Sequence, residues 1–291
     1  MYFHRTKFEV ESASFRVDMG AIMLTCEQIE RYHRRGYLLL PDWFDNQEVD
    51  TLRAELPSLL NHDSPGRTTE ADKKSVRIFY GVHQISPLFD ALTRHPRMLP
   101  LAMSLLGEQV YVHQSKLNMK SGFQGSGFEW HQDFAFWHGR DGMPKPNVVN
   151  FIVFLDDVDI FNAPIYLLPG SHERGLAPSQ GKELMPHDHV KELVAELGIE
   201  AATGPRGTLL VFGGLIAHAS PPNISPFNRA LALVTYNAVS NVLTAGTDAS
   251  HAHLAEREIV ALASHQDDDI LRRPAPPYRS RMEEFRIAMK A

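Results

Sequence analysis

Cysteine is almost absent from this chain, whose 291 residues include a single one, Cys26. One thiol excludes an intrachain disulfide bond and any zinc site built from several cysteines. Structural disulfides accumulate in oxidising compartments, so their absence favours a reducing one. We therefore expect a cytoplasmic protein.

Long apolar runs are also lacking. No stretch of the sequence reaches the roughly 18 apolar residues that a membrane-spanning helix needs. Residues 1–22 mix charged with apolar side chains and lack the continuous apolar segment of a signal peptide. We expect residues 1–22 to form an N-terminal leader, either flexible or folded over the core, and residues 23–291 to form a single domain.

An excess of one charge is missing as well. The net charge is −6, and acidic and basic residues are interspersed along the chain. A basic groove for nucleic acid and a basic face for a membrane are therefore not expected. The hydrophobic fraction of 43% is typical of a soluble protein with a packed core. The expected partner is a small molecule, and the expected assembly is a monomer or a homodimer.

Helical signals dominate the first third of the chain. Thr25 with Gln28 matches the capping box that begins a helix, and Gly36 is a typical helix stop. Apolar residues recur at helical spacing further along the chain. More helices are predicted at 45–59, 85–106 and 189–197.

From about residue 109 the pattern changes to short runs that are rich in β-branched and aromatic residues, separated by Gly, Pro, Asn and Asp. Helices followed by many short strands indicate an α+β fold. A double-stranded β-helix (jelly-roll, cupin-like) core with flanking helices leaves few open sheet edges. We expect the tail after 245 to cover this core without β structure. Strands are predicted at 37–40, 76–79, 110–118, 148–155, 165–168, 207–212 and 230–236.

Among the 15 histidines, His131 lies at metal-ligand spacing from an acid within a β-rich part of the chain. His131 and Asp133 are two residues apart, and side chains at this spacing in a strand point to the same face. Imidazole and carboxylate suit Fe(II), and one more ligand would complete a facial triad with open coordination positions. His218, which follows the predicted strand at 207–212, is the candidate for that ligand.

Arg229 follows His218 by eleven residues and begins another predicted strand. A buried arginine there could form a bidentate pair with a carboxylate. Taken singly, each of these residues has an ordinary interpretation as a core, turn or surface residue. Their order, and their common placement at strand edges, favour a shared site.

The residues around this motif also carry a family resemblance. The specific segments are 128–138 (FEWHQDFAFWH) with the following DGMP, 168–172 (LPGSH) and 223–227 (NISPF). From about residue 25 to residue 242 the chain resembles the phytanoyl-CoA dioxygenase (PhyH)-like superfamily of Fe(II)/2-oxoglutarate oxygenases. Within it, the chain is most similar to hydroxylases of free amino acids such as proline and leucine, and to ectoine hydroxylases.

The resemblance implies the roles of the site residues. His131, Asp133 and His218 would bind Fe(II), and O₂ would be the oxidant. Arg229 and Ser220 would hold the distal carboxylate of the cosubstrate 2-oxoglutarate. Asn118 and Gln114 would face the cosubstrate from the opposite strand. Apart from the resemblance, Lys116 could do similar work near the cosubstrate or simply pair with an acid. Asp133 favours hydroxylation over halogenation, because related halogenases replace this acid with a small residue.

The implied reaction is hydroxylation of an unactivated C–H bond of a small free amino acid, proline-like or leucine-like, with release of succinate and CO₂. Ectoine hydroxylases usually carry Ser where Gln132 stands, and Gln132 is more similar to the amino-acid hydroxylases. Ala163 departs from the glycine that is usual in the family. Its extra methyl group either narrows the pocket or has no effect.

Substrate-binding candidates lie around the ligand motif. Trp137 and Phe134 follow the ligand pair, and aromatic walls suit an apolar or cationic substrate. Strand alternation predicts that Trp137 faces inward rather than Phe136. Arg77 could meet a substrate carboxylate, and His172 could line the mouth of the site. The ordinary alternatives are core packing for the aromatic residues and solvent exposure for Arg77 and His172.

Three other functions are compatible with the same residues. The first is an enzyme of the same family that acts on ectoine, a carrier-bound amino acid or a natural-product scaffold. The second is a non-catalytic metal- or ligand-binding jelly-roll protein, which has no need for a carboxylate clamp such as Arg229. The third is a zinc hydrolase, but its general acid or base would have to be Glu129, which matches no familiar pattern.

Overall fold

The structure is a computed structural model that describes residues 24–178, 183–244 and 259–272. The predicted leader at 1–22 and most of the tail lie outside these residues. Within the described ranges, no helix is long and apolar enough to cross a membrane. The helices are α1 (Cys26–Arg35), α2 (Asn46–Asn61), α3 (Val82–Ile85), α4 (Pro87–Thr93), α5 (Leu99–Leu106), α6 (Asp133–Asp141) and α7 (His187–Leu197), with a 3₁₀ helix at Ser171–Arg174.

Two antiparallel sheets form the centre of the molecule. The larger sheet has the order β1-β9-β6-β11-β4-β3-β2, and the smaller has the order β5-β10-β7-β8. The strands are β1 (Tyr37–Leu40), β2 (Arg67–Thr69), β3 (Val76–Tyr80), β4 (Val110–Lys120), β5 (Phe128–His131), β6 (Val148–Phe154), β7 (Ile165–Leu167), β8 (Glu200–Ala202), β9 (Leu209–Gly213), β10 (His218–Ser220) and β11 (Arg229–Ala238). This arrangement is the double-stranded β-helix core that the sequence predicted, and the seven predicted strands are confirmed with shifts of a few residues at their ends.

The continuous apolar runs of the central strands arise because both faces of the larger sheet are buried. Along β6, Phe151 and Val153 pack with the helical layer, while Ile152 and Phe154 pack between the two sheets. The same alternation recurs in β9 and β11. Each such side chain stabilises the fold by about 1.5–3 kcal/mol through its burial. The cavity described below opens between the sheets, on the second of these two faces.

Helices α2, α4 and α5 cover the outer face of the larger sheet. Both capping boxes are present: Thr25 begins α1, and Asp45 begins α2. Gly36 ends α1 with a φ of 77°, a conformation that glycine adopts without strain. The described part of the tail, 259–272, packs on this layer without β structure, and its Leu271 is fully buried.

The single helical segment predicted at 85–106 is instead three short helices, α3, α4 and α5. Pro87 and Pro96 break the segment because proline lacks an N–H donor and disfavours a helical conformation in the residue before it. Ser86 then caps α4 by accepting a hydrogen bond from the Phe89 N–H at 3.2 Å. Local proline chemistry thus overrode the apolar periodicity.

Candidate active site

Two histidines face each other across the smaller sheet. In the antiparallel pair β5–β10, His131 and His218 are register partners, so their side chains lie on the same face. Their ring centroids are 4.2 Å apart. Pairing of two strands that are far apart in sequence therefore brings these imidazoles together.

Asp133 reaches the same point from a helix, which corrects the prediction that it shares a strand with His131. Strand β5 ends at His131, and Asp133 is the first residue of α6. A carboxylate is favourable there because the amino end of a helix carries a partial positive charge. Asp133 Oδ1 lies 3.7 Å from His131 Nε2, and Asp133 Oδ2 lies 3.8 Å from His218 Nε2. The three potential ligand atoms lie within 4.8 Å of one another.

Hydrogen bonds orient each of the three side chains. His131 Nδ1 lies 2.6 Å from the Glu129 carbonyl oxygen, and His218 Nδ1 lies 3.0 Å from that of Ile216. With Nδ1 donating to a carbonyl, each Nε2 keeps its lone pair for a metal. On the third side chain, Asp133 Oδ2 accepts a hydrogen bond from Asn150 Nδ2 at 2.8 Å.

The surroundings keep His131 and Asp133 in the protonation states that a metal ion requires. Burial and the neighbouring His218 lower the pKa of His131 to about 4, so its imidazole is neutral at neutral pH. Burial alone would raise the pKa of Asp133. The neighbouring His218 and Lys116, together with His131, outweigh burial and hold the pKa of Asp133 below its usual value.

This donor set fits Fe(II). Two neutral imidazoles and one carboxylate on one side of a metal leave open positions for a cosubstrate and O₂. Asn150 supports the set from β6, and it is itself held by Thr235, whose hydroxyl donates to Asn150 Oδ1 at 2.7 Å. Such outer partners keep ligand atoms in place.

A cavity of about 350 Å³ adjoins the three residues and runs between the sheets. Five of the predicted site residues line it besides the ligand candidates and Arg229. These are Gln114, Lys116, Asn118, Trp137 and Ser220. The volume lies at the lower end of the range for ligand pockets, about 300–1,000 Å³, so the cavity suits small molecules.

Arg229 forms a cationic end of this cavity. Its side chain is 1% exposed. One of its terminal nitrogens donates to Asn118 Oδ1 at 3.0 Å, while its buried Nε has no hydrogen-bond partner. No carboxylate of the described residues lies within ion-pair distance, and burial lowers the pKa of Arg229 to about 9. Because a buried cation without a counter-charge is costly, this end of the cavity favours an anionic ligand.

Three predicted substrate contacts lie outside the cavity lining. Phe134 packs in a small apolar cluster with Trp137, and its ring centroid lies 5.3 Å from that of His138. His172 Nε2 lies 2.9 Å from the His33 carbonyl oxygen, where it joins the 3₁₀ helix to α1. Arg77 donates to the Gly127 carbonyl at 2.9 Å and lies over the ring of a neighbouring phenylalanine.

Phe136 lines the cavity together with Trp137, although strand alternation predicted only Trp137. The reason is that residues 133–141 form a helix, in which residues four apart lie one turn apart on the same face. Phe136 therefore lies beside Arg140, and Trp137 lies beside Asp141. All four line the cavity. Directly after His131, the side chains follow the spacing of a helix instead of the alternation of a strand.

Sequence reasoning missed Asn150, Lys120 and Asp141. Asn150 is the one polar residue in the apolar run of β6, and a buried polar residue in such a run is a signal of a site. Lys120 continues the polar row of β4 at strand spacing, after Lys116 and Asn118. Asp141 is the last residue of α6, where a carboxylate is unfavourable for the helix.

Gln132 does not line the cavity, although the family resemblance used it to favour an amino-acid substrate over ectoine. Its Nε2 donates to the carbonyls of Gly175 at 2.9 Å and Leu215 at 2.7 Å. Its Oε1 accepts from the Ala177 N–H at 2.7 Å. Gln132 therefore ties two loops to the start of α6 and acts as a structural link between them.

Gln132→Ala should consequently lower stability and leave substrate preference unchanged. It leaves three backbone groups without their partner, and each buried unsatisfied group costs about 1–3 kcal/mol. Chemical denaturation measures the loss of unfolding free energy, and turnover on paired substrates measures the preference. Gln124→Ala, at a turn residue on the surface, is the control; a change of preferred substrate in Gln132→Ala would contradict the structural role.

Comparison with known proteins agrees with the geometry of the site. The family model described as phytanoyl-CoA dioxygenase (PhyH) matches residues 32–231. The chain is 37% identical over 239 residues to an ectoine dioxygenase from Halomonas elongata, an alignment that covers 75% of this chain and 71% of that protein. It is 36% identical over 229 residues to an L-proline trans-4-hydroxylase from Streptomyces griseoviridis, with coverage of 72% and 85%.

Solved structures agree with the fold. The iron-bound crystal structure of EctD from S. alaskensis has a TM-score of 0.75 and 34% identity, covering 83% of this chain and 87% of that chain. The same enzyme with 2-oxoglutarate and 5-hydroxyectoine has a TM-score of 0.71 and 35% identity, covering 76% and 78%. The donor set and the cationic end of the cavity agree with these matches. The chain therefore belongs to the phytanoyl-CoA dioxygenase family and is an Fe(II)- and 2-oxoglutarate-dependent dioxygenase.

Proposed function

We propose that this enzyme hydroxylates an unactivated C–H bond of a small free amino acid, proline-like or leucine-like, and releases succinate and CO₂. His131, Asp133 and His218 hold the iron, and Arg229 with Ser220 binds the distal carboxylate of 2-oxoglutarate. Bound Fe(II) supplies the activation of O₂, coupled to decarboxylation of the cosubstrate. The protein contributes ligation, orientation and a cavity lined by polar and apolar side chains.

The observation that carries the proposal is the composition of the cavity wall formed by α6. Asp141 offers a carboxylate for a substrate ammonium group, and Arg140 offers a guanidinium for a carboxylate. Phe136 and Trp137 lie beside them as apolar walls. Charges of both signs next to aromatic rings suit a compact zwitterion with a hydrocarbon body, which describes a small amino acid.

His113 lies behind Asp141. The His113 Nε2 lies 3.3 Å from Asp141 Oδ2, and its ring packs edge-on against Trp137 at 5.1 Å. Asp141 is 6% exposed. A substrate cation beside it would also offset the unfavourable placement of a carboxylate at the carboxyl end of α6.

The size of the cavity supports a small substrate, because 2-oxoglutarate must share the 350 Å³ with it. Ectoine is the second candidate, since a curated relative is an ectoine dioxygenase. Ectoine also carries a cationic and a carboxylate group, so the same wall would accept it. We further propose a cytoplasmic enzyme that acts on this small molecule as a monomer or homodimer, without a macromolecular partner.

The test is succinate formation by the Fe(II)-loaded enzyme with 2-oxoglutarate across free amino acids and ectoine. We expect stimulation by proline, leucine or a related amino acid. Turnover with ectoine alone would support the second candidate and reject the first. If no panel member stimulates turnover while 2-oxoglutarate still stabilises the protein against thermal unfolding, the free amino-acid substrate is rejected and the cosubstrate site is retained.

Asp141→Asn should raise KM for the amino acid by about 10- to 100-fold, because a hydrogen bond to a charged group contributes about 1.5–3 kcal/mol. The KM for 2-oxoglutarate should not change. Steady-state kinetics with each substrate varied separately measure the two constants. Asp188→Asn is the matched control, since Asp188 is 91% exposed on α7 and does not line the cavity. An unchanged amino-acid KM in Asp141→Asn would remove Asp141 from substrate binding.

A further inference from the structure

Glu183 is an acidic residue that the roles assigned so far do not use. Its Oε1 accepts a hydrogen bond from Arg140 Nε at 2.7 Å, although the two residues are 43 positions apart in the sequence. Arg140 lines the cavity and Glu183 does not. The guanidinium that we propose for a substrate carboxylate is therefore already paired with a carboxylate of the protein.

The chain beside Glu183 is tied to the strand that carries the first ligand. Leu184 forms an antiparallel bridge with His131, and the Met185 N–H donates to the Trp130 carbonyl at 2.9 Å. Met185 is buried in an apolar cluster with residues of α7. These contacts fix the backbone next to Glu183 without the help of its side chain.

The ion pair itself adds little to the stability of the fold. The side chains of Arg140 and Glu183 are 37% and 29% exposed, so water screens their charges and each can exchange its partner at small cost. A ligand carboxylate matches the guanidinium as well as Glu183 does. The fold therefore does not require a carboxylate at residue 183, and a ligand can compete with it for Arg140.

Arg140 is held over an aromatic ring on the metal side of the cavity. Its guanidinium carbon lies 5.2 Å from the centroid of the Phe136 ring. Phe136 in turn packs edge-on against His131, with ring centroids 5.6 Å apart. One aromatic ring thus separates the Arg140 charge from a metal ligand, so a small molecule bound at Arg140 lies beside the reacting centre.

The charges along the α6 wall sum to a negative excess. Asp141 and Glu183 carry two carboxylates against the single guanidinium of Arg140. Lys116 also lines the cavity, but it lies on β4 and lowers the pKa of Asp133, which places its charge beside the metal ligands. A ligand with only a carboxylate meets repulsion from two acids at this wall, whereas an ammonium group on the same ligand offsets that repulsion.

We infer that Glu183 is a specificity-determining residue: it competes with a ligand carboxylate for Arg140, and with Asp141 it restricts the α6 wall to ligands that carry an ammonium group. This role rests on the proposed function, in which a small zwitterion binds along this wall. The enzyme should therefore discriminate against a carboxylic acid that has the shape of its substrate but lacks the ammonium group.

Ligands of one shape and three charges provide the test. Cyclopentanecarboxylate is an anion, proline a zwitterion and pyrrolidine a cation; the matching series for leucine is 4-methylpentanoate, leucine and 3-methylbutylamine. Calorimetry measures the Kd of each ligand for enzyme loaded with Zn(II) and 2-oxoglutarate, which does not turn over because Zn(II) has no redox chemistry. Glu183→Gln removes the charge but keeps a side-chain oxygen that can accept from Arg140 Nε.

Glu183→Gln should tighten binding of the anion by about two- to fivefold, the scale of an ion pair that water partly screens. Binding of the cation should weaken or stay unchanged, because the variant has lost a negative charge, and the zwitterion should lie between the two. A residue that only supports the fold shifts all three ligands alike. A change in the same direction for all three, or no change for the anion, would overturn the inference.

Glu196→Gln is the matched control. Glu196 forms a similar surface pair with Arg174, and neither residue lines the cavity. This variant should bind every ligand as the wild type does. The thermal unfolding midpoints of Glu183→Gln and Glu196→Gln should agree, since each loses one exposed ion pair. A clearly lower midpoint for Glu183→Gln would assign Glu183 to the fold instead.

A double variant tests whether Glu183 acts through Arg140. Competition for the guanidinium requires the guanidinium, so Glu183→Gln should no longer tighten anion binding once Arg140→Gln is present. No measurable anion binding in either Arg140→Gln variant gives the same answer. A gain in affinity that persists without Arg140 shows that Glu183 does not compete for it, and the inference is then rejected.

The outcomes separate this role from the proposed function. If proline or leucine supports succinate formation but the anion binds Glu183→Gln no more tightly, the proposed function stands and the role of Glu183 is rejected. If only ectoine is turned over and Glu183→Gln still tightens anion binding, the role of Glu183 stands, because ectoine also carries a cationic and a carboxylate group. If neither series binds and ectoine does not bind, both are rejected.

Discussion

Asp133→Ala is expected to abolish tight iron binding and to lower turnover by more than about a hundredfold. Loss of an outer partner of a metal ligand already costs about 10- to 100-fold in affinity or activity, and loss of the ligand itself should exceed that. Asp133 is the one acid among the three side chains that converge in the described site. Its removal leaves two neutral imidazoles without the charge that balances a divalent cation.

Iron content after gel filtration and succinate formation measure the two effects. Asp188→Ala is the matched control, since Asp188 is 91% exposed on α7 and pairs with Lys191 at 2.9 Å. An intermediate result is expected for Asn150→Ala, which removes the hydrogen bond to Asp133 but leaves all three ligands in place. Stoichiometric iron in Asp133→Ala would show that the metal is held elsewhere.

Arg229→Met should weaken 2-oxoglutarate binding by at least about 30-fold without lowering the stability of the metal-free protein. Removing one partner of a buried charge pair costs about 2–5 kcal/mol, and 1.4 kcal/mol corresponds to tenfold. In the ligand-free protein, however, Arg229 is a buried cation without an acidic partner among the described residues. Replacing such a cation by an apolar side chain of similar length is often neutral or stabilising.

The combination of a large binding loss and an unchanged or higher unfolding midpoint separates a ligand-binding arginine from a structural one. Calorimetry with 2-oxoglutarate and thermal unfolding measure the two quantities. Arg272→Met is the control, because Arg272 is 40% exposed and pairs with Asp45 at 2.8 Å. A lower unfolding midpoint with unchanged 2-oxoglutarate affinity would assign Arg229 to the fold.

Strand prediction succeeded where a strand is buried on both faces. The runs of β6 and β9 are apolar on both faces because a helical layer and the second sheet cover them, and such runs stand out in a sequence. Short strands were harder to predict: β8 and β10 have three residues each and no period that a pattern can detect. They exist because the neighbouring strands β5 and β7 offer them hydrogen-bonding edges.

The site was predicted in composition but not in all of its geometry. His131, His218 and Arg229 lie at strand ends, as their spacing indicated. Asp133 does not, because the backbone turns into α6 at Gln132, where the Phe134 N–H bonds to the Gly214 carbonyl at 3.0 Å. Because residues 133–141 are helical, Phe136 lines the cavity and Phe134 does not.

The sequence by itself determined the α+β class and the main strands, and it predicted the candidate ligand set, because each depends on local periodicity or on rare residue types at short spacing. Only the tertiary structure decided which side chains share the cavity. Lys120 and Arg229 are 109 residues apart, yet strand register sets them face to face. Arg77 and His172 found backbone partners elsewhere. The pairing of distant strands, which no local pattern encodes, therefore placed the charges that select the ligands.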